Sequence, residues 1–236
     1  WNYLPLTTEE QQHAETLAKK YGQCPAICKL LALRGITSTE EAEKFFKPQL
    51  SDLHDPFLMR DMDKAVTRLN RAMGCKEKIL IYGDYDVDGT TAVALVYKFL
   101  QNYYSGIDYY IPDRYEEGYG ISDKSIDYAA ENGITLIITL DCGIKAVEKV
   151  AYARSRGIDF IICDHHVPDE TLPDAAAILN PKMEEDTYPY KELSGCGVGY
   201  KFMQGFAISN KLDIESNLLP LLDLVAVSIA SDIVPI

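Results

Sequence analysis

Carboxylate and imidazole side chains follow three apolar segments of the chain, at the points where predicted strands end. The first segment leads into Gly-Asp-Tyr-Asp-Val-Asp-Gly at 83–89, the second into Asp-Cys-Gly at 141–143, and the third into Asp-His-His at 164–166. In open parallel sheets the carboxyl ends of the strands lie along one edge, where ligands bind. The sequence therefore predicts that five carboxylates and two imidazoles meet at one edge of a sheet.

A group of acids packed this closely needs a bound cation to neutralise its negative charge. Closely packed carboxylates repel one another, and burying them without a partner is costly. Carboxylate oxygens combined with an imidazole suit Mn²⁺ or Mg²⁺ better than a metal that prefers thiolates. The group offers more ligands than one ion needs, which favours two ions, and paired ions are common in enzymes that hydrolyse phosphate esters. Its members are Asp84, Asp86, Asp88, Asp141, Asp164, His165 and His166.

Simpler interpretations compete for the individual residues. The Asp-x-Asp-x-Asp-Gly pattern from Asp84 resembles the start of a calcium loop, but its twelfth position is Leu95, which cannot be a ligand. Asp88 or Asp141 alone could be a helix N-cap, and a lone histidine is usually structural. Because acids follow all three strands and the two histidines are adjacent, we favour the metal site.

The segments around these motifs alternate between strand and helix patterns. Continuous apolar runs predict strands at Ile79–Tyr82, Ile107–Ile111, Ile134–Leu140, Ile158–Cys163 and Ala175–Leu179. Helical periodicity predicts helices at Thr90–Tyr104, Ser122–Asn132, Lys145–Arg156, Gly199–Asn210 and Asn217–Ser231. Strands that are apolar on both faces belong to a parallel sheet covered by helices on each side. We expect an α/β fold with a five-stranded, mostly parallel, doubly wound sheet.

The N-terminal part of the chain carries helical signals alone. Capping-box patterns begin at Thr7 and Ser38, each followed three residues later by Glu. We therefore expect a helical N-terminal segment at 1–75 and the α/β domain at 76–236. The chain starts with Trp1 rather than Met and stops directly after an apolar run, so we expect it to be part of a longer protein.

Composition narrows the class of protein and its location. Six cysteines without a C-x-x-C pair argue against a disulfide scaffold and a structural zinc site, and favour a reduced, cytoplasmic compartment. We expect no membrane span, because no apolar run approaches the ~20 residues that a spanning helix needs. The net charge of −13 disfavours non-specific attraction to nucleic acid, unless the acids gather where cations bind.

Two motifs together resemble the DHH phosphoesterase superfamily: Tyr-Gly-Asp-Tyr-Asp-Val-Asp-Gly at 82–89 and Asp-His-His at 164–166. Within that superfamily the chain is most similar to the single-strand-specific 5′-to-3′ exonucleases. Further matching segments, in the family's order, are 111–120, 139–144, 195–201 and 230–235. The resemblance also implies a C-terminal part, with a second α/β domain and an oligonucleotide-binding fold, that this chain does not include.

The resemblance assigns roles to the candidate residues. It implies that two Mn²⁺ or Mg²⁺ ions are held by Asp86, Asp88, Asp141, His165 and Asp232, with Asp84 as a further or auxiliary ligand. The implied catalytic residues are Asp88, Asp164 and His166, where Asp164 orients its neighbours and His166 contacts the scissile phosphate or assists the leaving group. Asp232 has no signal of its own, because an acid near the end of a helix usually lies in solvent.

Four residues are candidates for binding the substrate. The planar guanidinium of Arg114 suits contact with phosphate, although an exposed ion pair with Glu116 or Glu117 is the simpler alternative. Tyr119 could stack on a base. The amides of Gly195 and Gly197 precede a predicted helix and could cradle a phosphate, but close helix packing explains these glycines equally well.

The implied function is a metal-dependent exonuclease that degrades single-stranded DNA to 5′-mononucleotides in DNA repair and recombination. Two alternatives stay open: a hydrolase of pyrophosphate or short oligonucleotides, and an inactive replication scaffold. The helical leader and the Arg114 segment argue against the first, and the complete set of acids argues against the second. The expected partners are single-stranded DNA, single-strand-binding protein and a helicase. The acidic charge implies that the basic groove for DNA lies largely outside this chain.

Overall fold

The computed structural model describes residues 4–235, which divide into two compact units between His54 and Asp55. The smaller unit contains three helices: α1 Thr8–Tyr21, α2 Pro25–Leu33 and α3 Thr39–Phe46. Both expected capping boxes are present, since the side chains of Thr7 and Ser38 accept hydrogen bonds from the amides three residues ahead. Leu17, Cys28 and Leu31 are buried in the core of this unit.

The division between the units lies earlier than the boundary expected after residue 75. Helix α4, Met62–Gly74, belongs to the larger unit. Its buried residues, which include Leu69 and Ala72, pack into the main core together with residues of the sheet. The sequence analysis placed all helical signals up to residue 75 in one N-terminal segment, but helical periodicity alone does not say which core an apolar face joins.

The larger unit is built on a five-stranded sheet in which every neighbouring pair of strands is parallel. The strands are β1 Lys78–Gly83, β2 Ile107–Tyr110, β3 Ile134–Leu140, β4 Asp159–Cys163 and β5 Ala177–Leu179. Their spatial order is β2-β1-β3-β4-β5. The order reverses between β1 and β3, and in doubly wound sheets this switch point is where ligands bind.

Helices cover both faces of the sheet, as the continuous apolar strands predicted. After α4 they are α5 Val87–Leu100, α6 Asp123–Glu131, α7 Val147–Ser155, α8 Gly195–Ser209, α9 Ile214–Asn217 and α10 Leu222–Asp232. Ile79 and Ile81 face the core shared with α4, α5 and α8, whereas Leu80 and Tyr82 face the core shared with α6 and α7. Adjacent strand residues thus enter opposite cores, which confirms the expected α/β fold class.

The C-terminal helices differ from the expected pattern. Helix α8 begins at Gly195, four residues before the predicted start at Gly199, so the glycines form its first turn. The single helix expected at Asn217–Ser231 is instead divided by a 3₁₀ turn at Leu219–Leu221. Pro220 lies in that turn, where its missing N–H favours an interruption of the helical hydrogen bonds.

One helical segment has the length and composition of a membrane span, which the sequence analysis did not expect. Ile214–Asp232 contains 19 residues with a mean hydropathy of 1.4. A single such segment is weak evidence of a membrane span, and 17% of it is buried in this structure. Here the segment is interrupted, and its Ser228 is buried with the hydroxyl 2.7 Å from Asp88. We therefore interpret α10 as a helix that packs on the α/β core.

Candidate metal centre

The imidazole of His165 is the centre of a cluster of carboxylates at the carboxyl edge of the sheet. Its Nε2 atom lies 3.1 Å from Oδ1 of Asp141, 3.7 Å from Oδ2 of Asp88 and 3.6 Å from Oδ2 of Asp232. These acids come from three different parts of the chain: the turn after β3, the first turn of α5 and the end of α10. The sheet edge thus brings together the acids expected after the strands, and α10 adds Asp232.

Asp141 holds an unusual backbone conformation. It directly follows β3, and its φ angle of 60° lies in the left-handed region. An Asp tolerates this region better than most residues with a Cβ. Its amide still donates to the carbonyl of Cys163 at 2.9 Å, so the sheet ladder extends to the turn. Gly143, with a φ of 112°, completes the turn that directs the Asp141 carboxylate into the cluster.

Asp88 is buried, and the first turn of α8 holds it in place. Its Oδ2 accepts from the amide of Gly195, and its Oδ1 accepts from the amide of Cys196, both at 2.7 Å. The hydroxyl of Ser228 on α10 also donates to Oδ1 at 2.7 Å, and it lies 2.5 Å from the hydroxyl of Ser194. Asp88 therefore connects α5, α8 and α10, the last of which carries Asp232 four residues further on.

Asp84 and Asp86 play different structural parts within the first motif. Asp86 is the N-cap of α5, where its Oδ1 accepts from the amide of Gly89 at 2.9 Å. The helix cap suggested for Asp88 is thus formed by Asp86. Asp84 is buried, and its Oδ1 has no hydrogen-bond partner among the described residues. A Cβ on Gly89 would lie 2.5 Å from the carbonyl oxygen of Asp84, so this turn requires glycine.

Asp164 is saturated with hydrogen bonds and orients its neighbours. Its Oδ2 accepts from the amide of Ile144 at 2.9 Å, and its Oδ1 accepts from the amides of His165 and His166. The same oxygen lies 2.7 Å from Nδ1 of His166. Burial opposes ionisation, but the hydrogen bonds, with that from the His166 ring the strongest, lower the pKa of Asp164 overall. Asp164 is therefore a carboxylate that fixes the orientation of the His166 ring.

The unpaired atoms at the centre of the cluster fit a bound cation. Oδ1 of Asp141 and both ring nitrogens of His165 are buried without a hydrogen-bond partner in the described part of the chain, although Oδ1 and Nε2 lie only 3.1 Å apart. Burial raises the pKa of Asp141 to about 7, despite the opposing effect of His165. Buried ligand atoms that face one another without hydrogen bonds are typical of a metal site. A bound cation would also displace the proton from Asp141.

Two groups of ligand atoms lie close enough to hold an ion each. Within each group the atoms are no more than 4.8 Å from one another. One consists of Asp88, His165 and Asp232, and the other of Asp141, His165 and His166. Oxygen and imidazole ligands of this kind suit Mn²⁺ or Mg²⁺. The residues present therefore fit the expected cations.

The loop between β2 and α6 places Tyr119 beside His166 and Arg114 over the ring of Tyr85. Glu117 organises this loop by accepting hydrogen bonds from the Tyr110 hydroxyl and the Asp113 amide. Tyr119 packs edge-on against His166, with its hydroxyl 3.2 Å from Nε2 of that ring.

Arg114 is available for contact with a ligand. Its guanidinium lies over the ring of Tyr85, 5.3 Å from the centroid. Among the described residues it pairs with neither Glu116 nor Glu117, because Glu116 pairs with Lys124 and Glu117 accepts from hydroxyls and an amide. The exposed ion pair considered for Arg114 is thus not formed in the described part of the chain.

The glycines expected to cradle a phosphate are occupied by protein groups. The amide of Gly195 donates to Asp88, and the amide of Gly197 donates to the hydroxyl of Ser194 at 3.1 Å. A Cβ on Gly195 would lie 2.5 Å from the Cβ of Asp141. The structure therefore favours the alternative of close packing: the amide of Gly195 holds Asp88 in position, and the amide of Gly197 is capped by Ser194.

Sequence reasoning missed three residues that support the site. Ser228 lies within α10 and has no distinguishing signal, whereas Ser194 is the N-cap of α8, and a serine directly before a helix is a signal that could have identified it. Asn180 directly follows β5 and donates from its side chain to the carbonyl of His166 at 2.9 Å. The rule that found the acids, to ask which residue follows each strand, would have identified Asn180 if it had been applied to the fifth strand.

Comparisons with known proteins agree with the motifs and the fold. The model of the DHH family, N-terminal domain, matches residues 78–229. The chain belongs to the DHH family. One relative is the single-stranded-DNA-specific exonuclease RecJ of Bacillus subtilis. It is 40% identical to this chain over 227 residues, which make up 96% of this chain and 28% of that protein. RecJ of Escherichia coli is 38% identical over 222 residues, 90% of this chain and 38% of that protein.

Solved structures of metal-bound proteins have the same fold. The crystal structure of exonuclease RecJ bound to manganese matches with a TM-score of 0.67 and 29% identity, over 75% of this DHH chain and 44% of that one. RecJ from Thermus thermophilus in complex with Mn²⁺ matches over 99% of this chain and 32% of that one, with a TM-score of 0.78 and 22% identity. The chain thus spans less than half the length of these relatives.

Proposed function

We propose that this chain carries the catalytic centre of a metal-dependent exonuclease, which degrades single-stranded DNA from the 5′ end to 5′-mononucleotides. Two Mn²⁺ or Mg²⁺ ions are its cofactors. The observation that carries the proposal is the convergence of three carboxylates on the Nε2 atom of the buried His165 ring, where Nε2 and Oδ1 of Asp141 have no hydrogen-bond partner among the described residues. The similarity to RecJ exonucleases, one of them bound to manganese, supports the substrate and the metal.

The metal ligands in this proposal are Asp84, Asp86, Asp88, Asp141, His165 and Asp232. Bound cations neutralise the charge of the scissile phosphate and acidify the attacking water. The protein contributes rigid placement: the first turn of α8 fixes Asp88, and the turn at Gly143 fixes Asp141. Because these groups are held before the substrate arrives, little reorganisation is needed during the reaction.

His166 assists the leaving group in this mechanism. Asp164 accepts a hydrogen bond from Nδ1 of His166, which leaves Nε2 directed toward Tyr119 and the cluster. His166 exposes 44% of its side chain, so a substrate can reach it. Nε2 is placed to donate a proton to the 3′ oxygen that departs when the phosphodiester bond breaks. Arg114, held over Tyr85, contacts a phosphate of the strand, and Tyr119 stacks on a base.

The cellular setting follows from the proposed substrate. A protein that trims single-stranded DNA acts in DNA repair and recombination, in the cytoplasm, beside single-strand-binding protein and a helicase. These partners rest on the similarity to DNA-processing exonucleases. With a net charge of −13, the chain needs cations at its acidic cluster and a basic groove elsewhere to hold a polyanion.

The test is the release of nucleotides from a labelled strand. The chain is incubated with single-stranded DNA that carries a 5′ label, with and without Mn²⁺, beside an Asp141→Asn variant. We expect labelled 5′-mononucleotide as the first product, only with Mn²⁺ and only from the unaltered chain. Release from the 3′ end first, or hydrolysis restricted to pyrophosphate or dinucleotides, would contradict the proposal.

A further inference from the structure

A half-buried carboxylate, Glu117, holds together the 111–122 loop, which connects β2 to α6. Its Oε1 accepts from the amide of Asp113 at 3.0 Å, and its Oε2 accepts from the hydroxyl of Tyr110 at 3.0 Å. The hydroxyl of Ser122, the N-cap of α6, also donates to Oε2 at 2.5 Å. One side chain thus connects the last residue of β2, the start of the loop and the beginning of α6.

Glu117 is ionised in this arrangement, and its charge is used by protein groups. Burial opposes ionisation, but the hydrogen bonds from Ser122, Asp113 and Tyr110 lower the pKa of Glu117 overall. Burial and the hydrogen bond to Glu117 raise the pKa of Tyr110 to about 12, so this hydroxyl keeps its proton and remains a donor. Because three protein donors surround the carboxylate, Glu117 affects the site through the loop that it holds.

Two residues of the 111–122 loop contact the substrate in the proposed function. Arg114 is exposed and lies before Glu117 in the chain, with its guanidinium over the ring of Tyr85. Tyr119 lies after Glu117, and its hydroxyl is 3.2 Å from Nε2 of His166. Since Glu117 lies between these two residues, a shift of the loop at Glu117 displaces both of them.

The two ends of the 111–122 loop are held differently. At the far end, the buried hydroxyl-bearing ring of Tyr82 on β1 donates to the carbonyl of Gly120 at 2.7 Å. At the near end, a link besides Glu117 is the ion pair of Glu116 with Lys124, whose side chains are 71% and 60% exposed. Exposed pairs of this kind contribute little stability. The near end, which carries Arg114, therefore depends chiefly on the hydrogen bonds of Glu117.

We propose that Glu117 is a positioning residue, which fixes Arg114 and Tyr119 before the strand arrives and thereby sets the affinity for the substrate. This inference rests on the proposed function. Without the carboxylate, the substrate itself would have to order the loop, and each side chain that is immobilised on binding reduces the affinity. Because a guanidinium binds phosphate in the ground state as well as in the transition state, the loss should raise KM more than it lowers kcat.

The first experiment measures the order of the loop and does not depend on turnover. The folded chain is digested briefly with trypsin at saturating Mn²⁺, and cleavage after Arg114 is followed by mass spectrometry. Glu117→Gln removes the charge, and Glu116→Gln, the neighbouring acid in an exposed ion pair, is its matched control. Tyr110→Phe removes one donor and keeps the ring, so it tests the same contact if Glu117→Gln does not fold. Thermal melting by circular dichroism verifies the fold of each variant.

We expect cleavage after Arg114 to be about tenfold faster in Glu117→Gln than in Glu116→Gln, since local opening of the loop controls access of the protease. Tyr110→Phe should show a smaller increase in the same direction. Mn²⁺ uptake in calorimetry should be the same in all three variants, because none of these residues is a metal ligand. Equal cleavage after Arg114 in Glu117→Gln and Glu116→Gln would overturn the proposal.

The second experiment separates positioning from a general structural role. On a 5′-labelled single strand, Glu117→Gln should raise KM about tenfold, in line with the cost of ordering two side chains. In a chain that already carries Arg114→Ala and Tyr119→Ala, the same substitution should change KM by less than about twofold, because the residues it acts through are gone. An equal rise of KM in both backgrounds would refute the role.

The unaltered chain distinguishes this inference from the proposed function. If it takes up Mn²⁺ but does not cut the labelled strand, the proposed function fails. If it cuts the strand and Glu117→Gln does so with unchanged KM, the role of Glu117 alone is refuted.

Discussion

Replacing Gly195 by Ala tests how closely the first turn of α8 must approach Asp141. The added Cβ would lie 2.5 Å from the Cβ and 2.7 Å from Oδ1 of Asp141, so the metal ligand itself has to move. Gly197 in the same turn is the matched control, because its added Cβ would be 3.4 Å or more from its neighbours. Ala is better than Gly in a helix by roughly 0.5–1 kcal/mol. Overpacking costs about 1–3 kcal/mol and exceeds that gain only at Gly195.

The two variants should therefore change stability in opposite directions. We expect Gly195→Ala to lower the free energy of unfolding by roughly 1–2 kcal/mol, and Gly197→Ala to leave it unchanged or raise it by up to about 1 kcal/mol. Urea denaturation of the metal-free chain measures both. Displacement of Asp141 should also weaken Mn²⁺ binding about tenfold in Gly195→Ala, equivalent to ~1.4 kcal/mol. Equal stability and equal Mn²⁺ affinity in the two variants would refute this account of the turn.

Three further substitutions test the ligand cluster and the core. Asp141→Asn should abolish Mn²⁺ binding in calorimetry yet keep or raise the melting temperature of the metal-free chain, because it relieves repulsion; a large fall would make Asp141 structural. Ser228→Ala should weaken Mn²⁺ binding roughly tenfold, because Asp88 loses a positioning hydrogen bond, whereas the control Ser231→Ala should not. Burial lowers the pKa of Lys201 to about 8, below its usual 10.5. The unfolded chain therefore binds more protons between pH 8 and 10.5, and stability should rise with pH there. Lys201→Met should be more stable at pH 7 and lack that rise; parallel pH profiles would disprove it.

The clustering of the acids that follow the strands could be predicted because the carboxyl ends of parallel strands lie at one edge of the sheet. The apolar runs identified β1, β3 and β4, and the sheet order then brings the turns after them to one edge. The DHH motifs add the expected identity of the ligands, and the family model confirms the motifs over residues 78–229.

The sequence pattern could not predict the features that depend on tertiary packing. Asp232 joins the cluster only because α10 packs against α5 and α8, and its own sequence context is that of a solvated acid. The amide of Gly195 was a candidate for binding phosphate, since a sequence does not show that the distant Asp88 accepts from it. The acceptor for Gly197 is the N-cap Ser194, which lies directly before the helix. The position of α4 in the larger unit likewise depends on which core its apolar face meets.

The central claim is that divalent cations bind among the carboxylates around His165. Crystals of the chain grown with Mn²⁺, with diffraction data collected at the manganese absorption edge, test it most directly. We predict an anomalous peak bounded by Nε2 of His165 and the carboxylates of Asp88, Asp141 and Asp232, with a second peak beside the Asp141 carboxylate. The absence of anomalous density in this cluster at saturating Mn²⁺, with Asp141 protonated and hydrogen-bonded to His165, would contradict the account.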